Sequence, residues 1–79
     1  MNRVLVNSTV AANCRAEAAR HGKTTLDIAD ATKIHRVTLG RRLSGQLPFA
    51  IDELVAIAEF LGIPLSALLV GVEPTQASA

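Results

Sequence analysis

The chain contains no tryptophan or tyrosine, and its only aromatic side chains are Phe49 and Phe60. A β-sandwich core ordinarily draws on aromatic and β-branched residues. A chain rich instead in alanine and leucine points to helices packed on helices. Cysteine occurs once, at Cys14, which excludes an intramolecular disulfide framework and a cysteine-rich zinc site. No apolar run reaches the roughly eighteen residues that a membrane span requires, and no secretory signal opens the chain, so a soluble cytoplasmic protein is expected. A chain of 79 residues buries only about 60–65% of the surface its unfolded form exposes, which makes a large catalytic cleft improbable. Its hydrophobic fraction of 49% is that of a single folding domain.

Lysine and arginine are also missing from Leu47 onward, whereas Asp52, Glu53, Glu59 and Glu73 fall there and give that stretch a charge of −4. Between Arg20 and Gln46 the balance reverses. Six bases (Arg20, Lys23, Lys33, Arg36, Arg41, Arg42) stand against Asp27 and Asp30, a local charge of +4 inside a chain whose net charge is +1. Cations gathered on one segment raise the local potential and favour a polyanionic partner; a solvated helical surface is the plainer alternative.

Along the chain, Arg3-Val4-Leu5-Val6 is short and β-branched, so residues 1–7 are predicted as an arm or short strand. Asn7, Ser8 and Thr9 are candidate caps for a first helix. That helix buries Val10, Ala11, Cys14 and Ala18 and ends near His21 and Gly22. Thr24 and Asp27 have capping-box spacing, opening a second helix that buries Leu26, Ile28, Ala29 and Thr32. Lys33 and Ile34 connect it to a third helix, His35 to Ser44, whose inner face carries Leu39 and Leu43. Gly45 and Pro48 punctuate the next loop. Ile51, Leu54, Val55, Ala58 and Leu61 then mark an amphipathic fourth helix closed by Gly62. Pro64 opens a last short helix through Leu65, Leu68 and Leu69, which places the domain at residues 8–71 and a flexible tail at 72–79.

Two short helices joined by a tight turn, the second basic on its outer side, have the layout of a helix-turn-helix. At about 100° per residue, Val37, Thr38, Arg41 and Arg42 lie away from the Leu39/Leu43 stripe. Arginine can fork to guanine O6 and N7, valine can touch a thymine methyl, and Arg36 in the first turn points toward base edges. Other chemistry is not legible. Gly22-Lys23-Thr24 copies the end of a phosphate-binding loop, but Glu17 stands where its first glycine belongs and a helix precedes it. His21 and His35 have no carboxylate or cysteine at ligand spacing, and Cys14 lies on an apolar stripe. No enzyme, cofactor, metal or small-molecule ligand is expected.

These residues resemble the lambda-repressor-like (Cro/CI or XRE-type) helix-turn-helix regulators, in the manner of phage and actinobacterial members. The likeness runs from about Val10 to Leu69. It rests on Gly22-Lys23-Thr24-Thr25-Leu26-Asp27-Ile28-Ala29, on Ile34-His35-Arg36-Val37-Thr38-Leu39-Gly40-Arg41-Arg42-Leu43-Ser44-Gly45, and on the segments from Pro48 to Leu54 and from Ile57 to Pro64. The resemblance implies a compact all-α, five-helix fold, double-stranded DNA as partner, and a homodimer on a two-fold operator. Arg36, Val37 and Arg41 match base-reading places. Thr25, Ser44 and Gln46 match places that contact the DNA backbone. Charge and facing add Thr38 to the base-reading set, and Lys23, Lys33, Arg42 and the helix N-termini to the phosphate contacts.

The sequence departs from the family pattern at four positions. Lys33 stands where a turn glycine is frequent, His35 replaces the usual serine cap, Ala50 caps poorly, and Gly40 interrupts the recognition helix. Close approach to another helix or to the DNA backbone is the expected compensation for Gly40.

The function expected on this reading is a transcriptional repressor of phage Cro or immunity type. An antitoxin or adaptor that uses the fold to hold a protein is the alternative, and the DNA-binding part of a longer regulator is a third, against which Met1 and the polar tail argue mildly. One helix reads about four to five base pairs, so two copies are expected about 34 Å apart. Candidate dimer contacts are the last helix (Leu65, Leu68, Leu69, Val70) and an intertwined strand through Val4, Leu5 and Val6.

Overall fold

The computed structural model describes residues 1–72, and the expected tail lies outside them apart from Val72. Four α-helices follow one another: α1 (Arg3–Arg20), α2 (Thr25–Thr32), α3 (Arg36–Leu43) and α4 (Ile51–Leu61). A single 3-10 turn, Leu65–Leu68, closes the described chain. Packing is cyclic: α2 lies on α3 and α4, α1 on α3 and the closing turn, and α4 on that turn as well.

The amino-terminal strand is not formed. Arg3–Val6 is instead the first turn of α1, capped by Asn2, whose side-chain oxygen accepts the Leu5 N–H at 2.9 Å while its carbonyl accepts the Val6 N–H at 3.0 Å. Local β preference is weak beside tertiary context. Continuing the helix satisfies this backbone and brings Val6 against the core one turn before Val10, whereas no strand exists among the described residues to pair with it. Further along α1, Val10, Ala11, Cys14 and Ala18 are the buried positions, as the spacing predicts. Burial pushes the Cys14 thiol up to about 12, so this side chain acts as a small apolar filler.

The fifth helix is also absent as an α-helix. Four residues of 3-10 turn stand in its place, with Leu68 fully buried. The Asn13 side-chain amide donates to the carbonyls of Leu68 at 3.0 Å and Val70 at 2.8 Å, pinning the segment across α1. Gly71, at φ +85°, lies beyond the end of this turn.

The core centres on Cys14, Ile28, Leu39, Ile57 and Leu68. Three residues expected inside are exposed. Leu26 is 54% accessible because it lies two residues, about 200° of helix, from Ile28. Ile51 and Val55 likewise lie off the buried line Leu54, Ile57, Ala58, Leu61, which follows i, i+3, i+4, i+7 spacing and includes Ile57 in their stead.

Helix α2 has a complete capping box: Asp27 N–H donates to the Thr24 hydroxyl at 3.1 Å, and Thr24 N–H donates to the Asp27 carboxylate at 2.8 Å. Its other end closes on Lys33, the sole non-glycine residue with positive φ among those described (+63°), whose N–H reaches the Ala29 carbonyl at 2.9 Å.

Two outcomes follow for stability. Left-handed backbone is strained for any side-chain-bearing residue, so Lys33→Gly is expected to stabilise the fold by about 1 kcal/mol, visible as a melting point higher by about 4–8 °C. An unchanged or lower melting point would contradict the strain. The Asp27 carboxyl is held below its ordinary value of 3.8, first by the Thr24 backbone N–H, then by the Thr24 hydroxyl and the charge of Lys23. A depressed folded-state pKa contributes stability above the ordinary aspartate range, and that stability is lost as pH falls through the folded value. Asp27→Ala should therefore melt below wild type at neutral pH, with the gap closing once pH drops beneath about 3.8. A pH-independent gap would refute the assignment.

Candidate nucleic-acid interface

Helices α2 and α3 are joined by Lys33, Ile34 and His35 alone. The left-handed residue at Lys33 reverses the chain tightly, and half-buried Ile34 anchors the turn on the core. His35 then takes the cap position of α3: its Nδ1 accepts the Val37 N–H at 3.3 Å, so the ring proton of the neutral tautomer sits on Nε2. Thus the turn glycine and serine cap of the family pattern are replaced by a strained lysine and a histidine that does the capping itself.

The direction of α3 is set by its back. Leu39 is fully buried and Leu43 nearly so, and the Arg15 guanidinium donates to the Leu43 carbonyl, fastening the end of α3 to α1. Measured from Leu39, Val37 and Arg41 then lie roughly 160–200° around the helix, on its outermost line. Val37 is 52% accessible, and Arg36 and Arg41 are exposed. Among the described residues neither of these guanidinium groups is ion-paired or hydrogen-bonded. Thr38 is half-buried, on the flank of the same face.

Arg42 departs from its expected orientation. Its side chain is 22% exposed, donates to the Pro48 carbonyl, and stands with Nε 3.4 Å from the Glu53 carboxylate. Position 42 is about 300° from Leu39, turned back toward α4 rather than out to solvent. Glu53 in turn accepts the Ala50 N–H at 2.8 Å, half of a capping box that Ala50, lacking a side-chain acceptor, cannot complete. One carboxylate thus caps α4 and holds α3. The pair escapes sequence patterning because a basic residue on a short helix carries no mark of the loop that will fold over it.

The residues expected at the DNA backbone surround this face. Thr25 is the exposed first residue of α2, next to the Thr24 cap. The Asp27 carboxylate already occupies that N-terminus, whereas the first turn of α3 carries no acid. Lys33 is exposed in the turn, and Lys23 is exposed with its ammonium over the Phe60 ring, 5.4 Å from the centroid. The Ser44 hydroxyl donates to the Arg41 carbonyl at 2.9 Å, and the Gln46 N–H reaches the same oxygen at 3.0 Å, leaving the Gln46 side chain outside. A shallow open depression of about 480 Å³ runs beside the turn, lined by Leu26, Ala29, Asp30, Lys33, Ile34, His35 and Arg36. Among the described residues a methyl group placed on Gly40 would meet no atom within 4 Å, so the expected close approach to another of these helices does not occur.

The expected dimer contacts divide. Leu68 is wholly internal because it plugs the gap between α1 and α4, and it cannot face a second copy. Val6, Leu65 and Leu69 are half-buried against the core. Val4, Leu5 and Val70 are exposed, the first two on helix rather than on the expected strand.

The sequence profile of a helix-turn-helix family matches residues 15–68, which run from the middle of α1 through the closing turn. No curated protein matches the chain. Among the described residues no helix is long and apolar enough to cross a membrane.

Because Arg42 and Glu53 are both mostly buried and ion-paired at 3.4 Å, removing Arg42 leaves the Glu53 carboxylate without its counter-charge. Arg42→Met is expected to destabilise by about 1–2 kcal/mol, and adding Glu53→Gln to it should cost less than Glu53→Gln costs in wild type. Additive losses in a double-mutant cycle would dissolve the pair.

Proposed function

The chain belongs to the lambda-repressor-like (XRE-type) helix-turn-helix family, a family of DNA-binding regulators, and from that premise we propose that it is a repressor of phage Cro or immunity type. The reading rests chiefly on one observation. Arg36 and Arg41 are exposed and unengaged on either side of accessible Val37, on a helix whose opposite side is locked in the core. Their donors are therefore available to a partner at little reorganisation cost.

With α3 lying in the major groove, Arg36 and Arg41 fork to guanine edges, Val37 meets a thymine methyl, and Thr38 contacts an edge base from the flank. Lys23, Lys33, Thr25, Ser44 and Gln46 meet phosphates and fix the register; the first turn of α3, which holds no acidic residue, adds partial positive charge. Arg42 serves this surface indirectly, by holding α3 against α4 through Glu53 and Pro48. Two copies on a two-fold operator place their α3 helices about 34 Å apart, and Val4, Leu5 and Val70 are the exposed apolar side chains available to pair them. Repression follows from occupying promoter DNA.

Binding titrations separate the two kinds of contact. Arg36→Ala or Arg41→Ala should lose about 1–3 kcal/mol on a selected site and relax base preference, whereas equal losses on selected and scrambled duplexes would remove these residues from base reading. Lys33→Gly, which keeps the turn geometry while deleting the charge, should weaken all sequences alike and lower the salt-dependence slope by about one. An unaltered slope would take Lys33 off the phosphate contacts.

A further inference from the structure

The chain has five glycines, and four of them (Gly22, Gly45, Gly62 and Gly71) adopt positive φ, where a side chain is strained. Gly40 does not. It lies inside α3 in ordinary helical geometry, is exposed, and has open space where a Cβ would be. Glycine is the poorest helix former after proline, and α3 has only eight residues over which to absorb it. Nothing among the described residues fills the space where that side chain would be.

Its position on α3 shows where the space leads. Gly40 lies about 100° from Leu39, about 60° from Val37 and about 100° from Arg41, on the flank opposite Thr38 and Arg42. A helix with its side chains is about 10–12 Å across and the major groove is about 12 Å wide. The outermost line of an inserted helix therefore faces base edges, and its flanks face the sugar–phosphate walls.

We infer that Gly40 is where one wall of the duplex seats against α3: the absent side chain lets the sugar–phosphate backbone approach the helix backbone closely. This rests on the DNA-binding reading above and assigns Gly40 a positioning role that neither charge nor hydrogen bonding marks. Its signature differs from both kinds of contact already described. Filling the space removes no charge and no base contact, so it should weaken every sequence alike without changing the salt slope.

The test uses Gly40→Ala and Gly40→Leu, two good helix formers of increasing bulk, in the full chain. Thermal melting is measured without DNA, and binding is titrated on a duplex selected by the wild-type protein from random sequence and on a scrambled duplex, at several salt concentrations. The expected result is a melting point raised by about 4 °C for Gly40→Ala. Affinity should fall about tenfold on both duplexes for Gly40→Ala and further for Gly40→Leu, with base preference and salt slope unchanged. Unchanged affinity in Gly40→Ala, or a lower melting point, would overturn the inference. Loss confined to the selected duplex would also overturn it, by making position 40 a base contact. Failure of the wild-type protein itself to bind either duplex would instead remove the DNA-binding reading, and the inference with it.

Discussion

The burial of Leu39 and Leu43 is the constraint on which the rest of this structure depends. A helix of eight residues does not persist alone in water, because nucleation is unfavourable and few hydrogen bonds follow it. Each leucine taken out of water contributes roughly 1.5–3 kcal/mol, and the two together hold α3 in place and fix its rotation about its own axis. That rotation decides that Val37 and Arg41 face out, that Arg42 turns to Glu53, and that Gly40 lies on the flank. Rotating α3 by a single residue's angle would bury a guanidinium and expose a leucine, so the chemistry of the outer face follows from the packing of the inner one.

Around this helix the protein braces α3 from three sides. Arg15 reaches the last carbonyl of α3 from α1, Ile34 anchors the turn that precedes it, and Arg42 joins it to the start of α4. These supports occupy polar groups that would otherwise be free on the surface. The Asp27 carboxylate likewise fills the start of α2, whereas the first turn of α3 holds no acidic residue.

Much of this was legible in the sequence where one residue's role is set by its near neighbours. The capping box of Thr24 and Asp27, the inner leucines of α3 and the buried line of α1 all depend on spacings of three or four residues, and all appear as expected. The differences divide between local caps and helical phase on one side and partners remote in sequence on the other. Arg3–Val6 joins α1 because Asn2 caps it and Val6 finds the core. The closing segment stops as a 3-10 turn because Asn13, more than fifty residues earlier, takes its carbonyls. Nothing near Arg42 in sequence announces Glu53 or the Pro48 carbonyl. Ile51 and Val55 share helical spacing with the buried residues of α4 but lie off their line, because an apolar residue at helical spacing need not face the same neighbour as the next one.

The sealed position of Cys14 has a bearing on signalling. It is the chain's sole thiol, it has no solvent exposure, and burial holds it protonated far above neutral pH. Oxidants and mixed disulfides act on accessible thiolates, so Cys14 offers them no handle in the folded molecule. Two folded copies are consequently not joined through a disulfide.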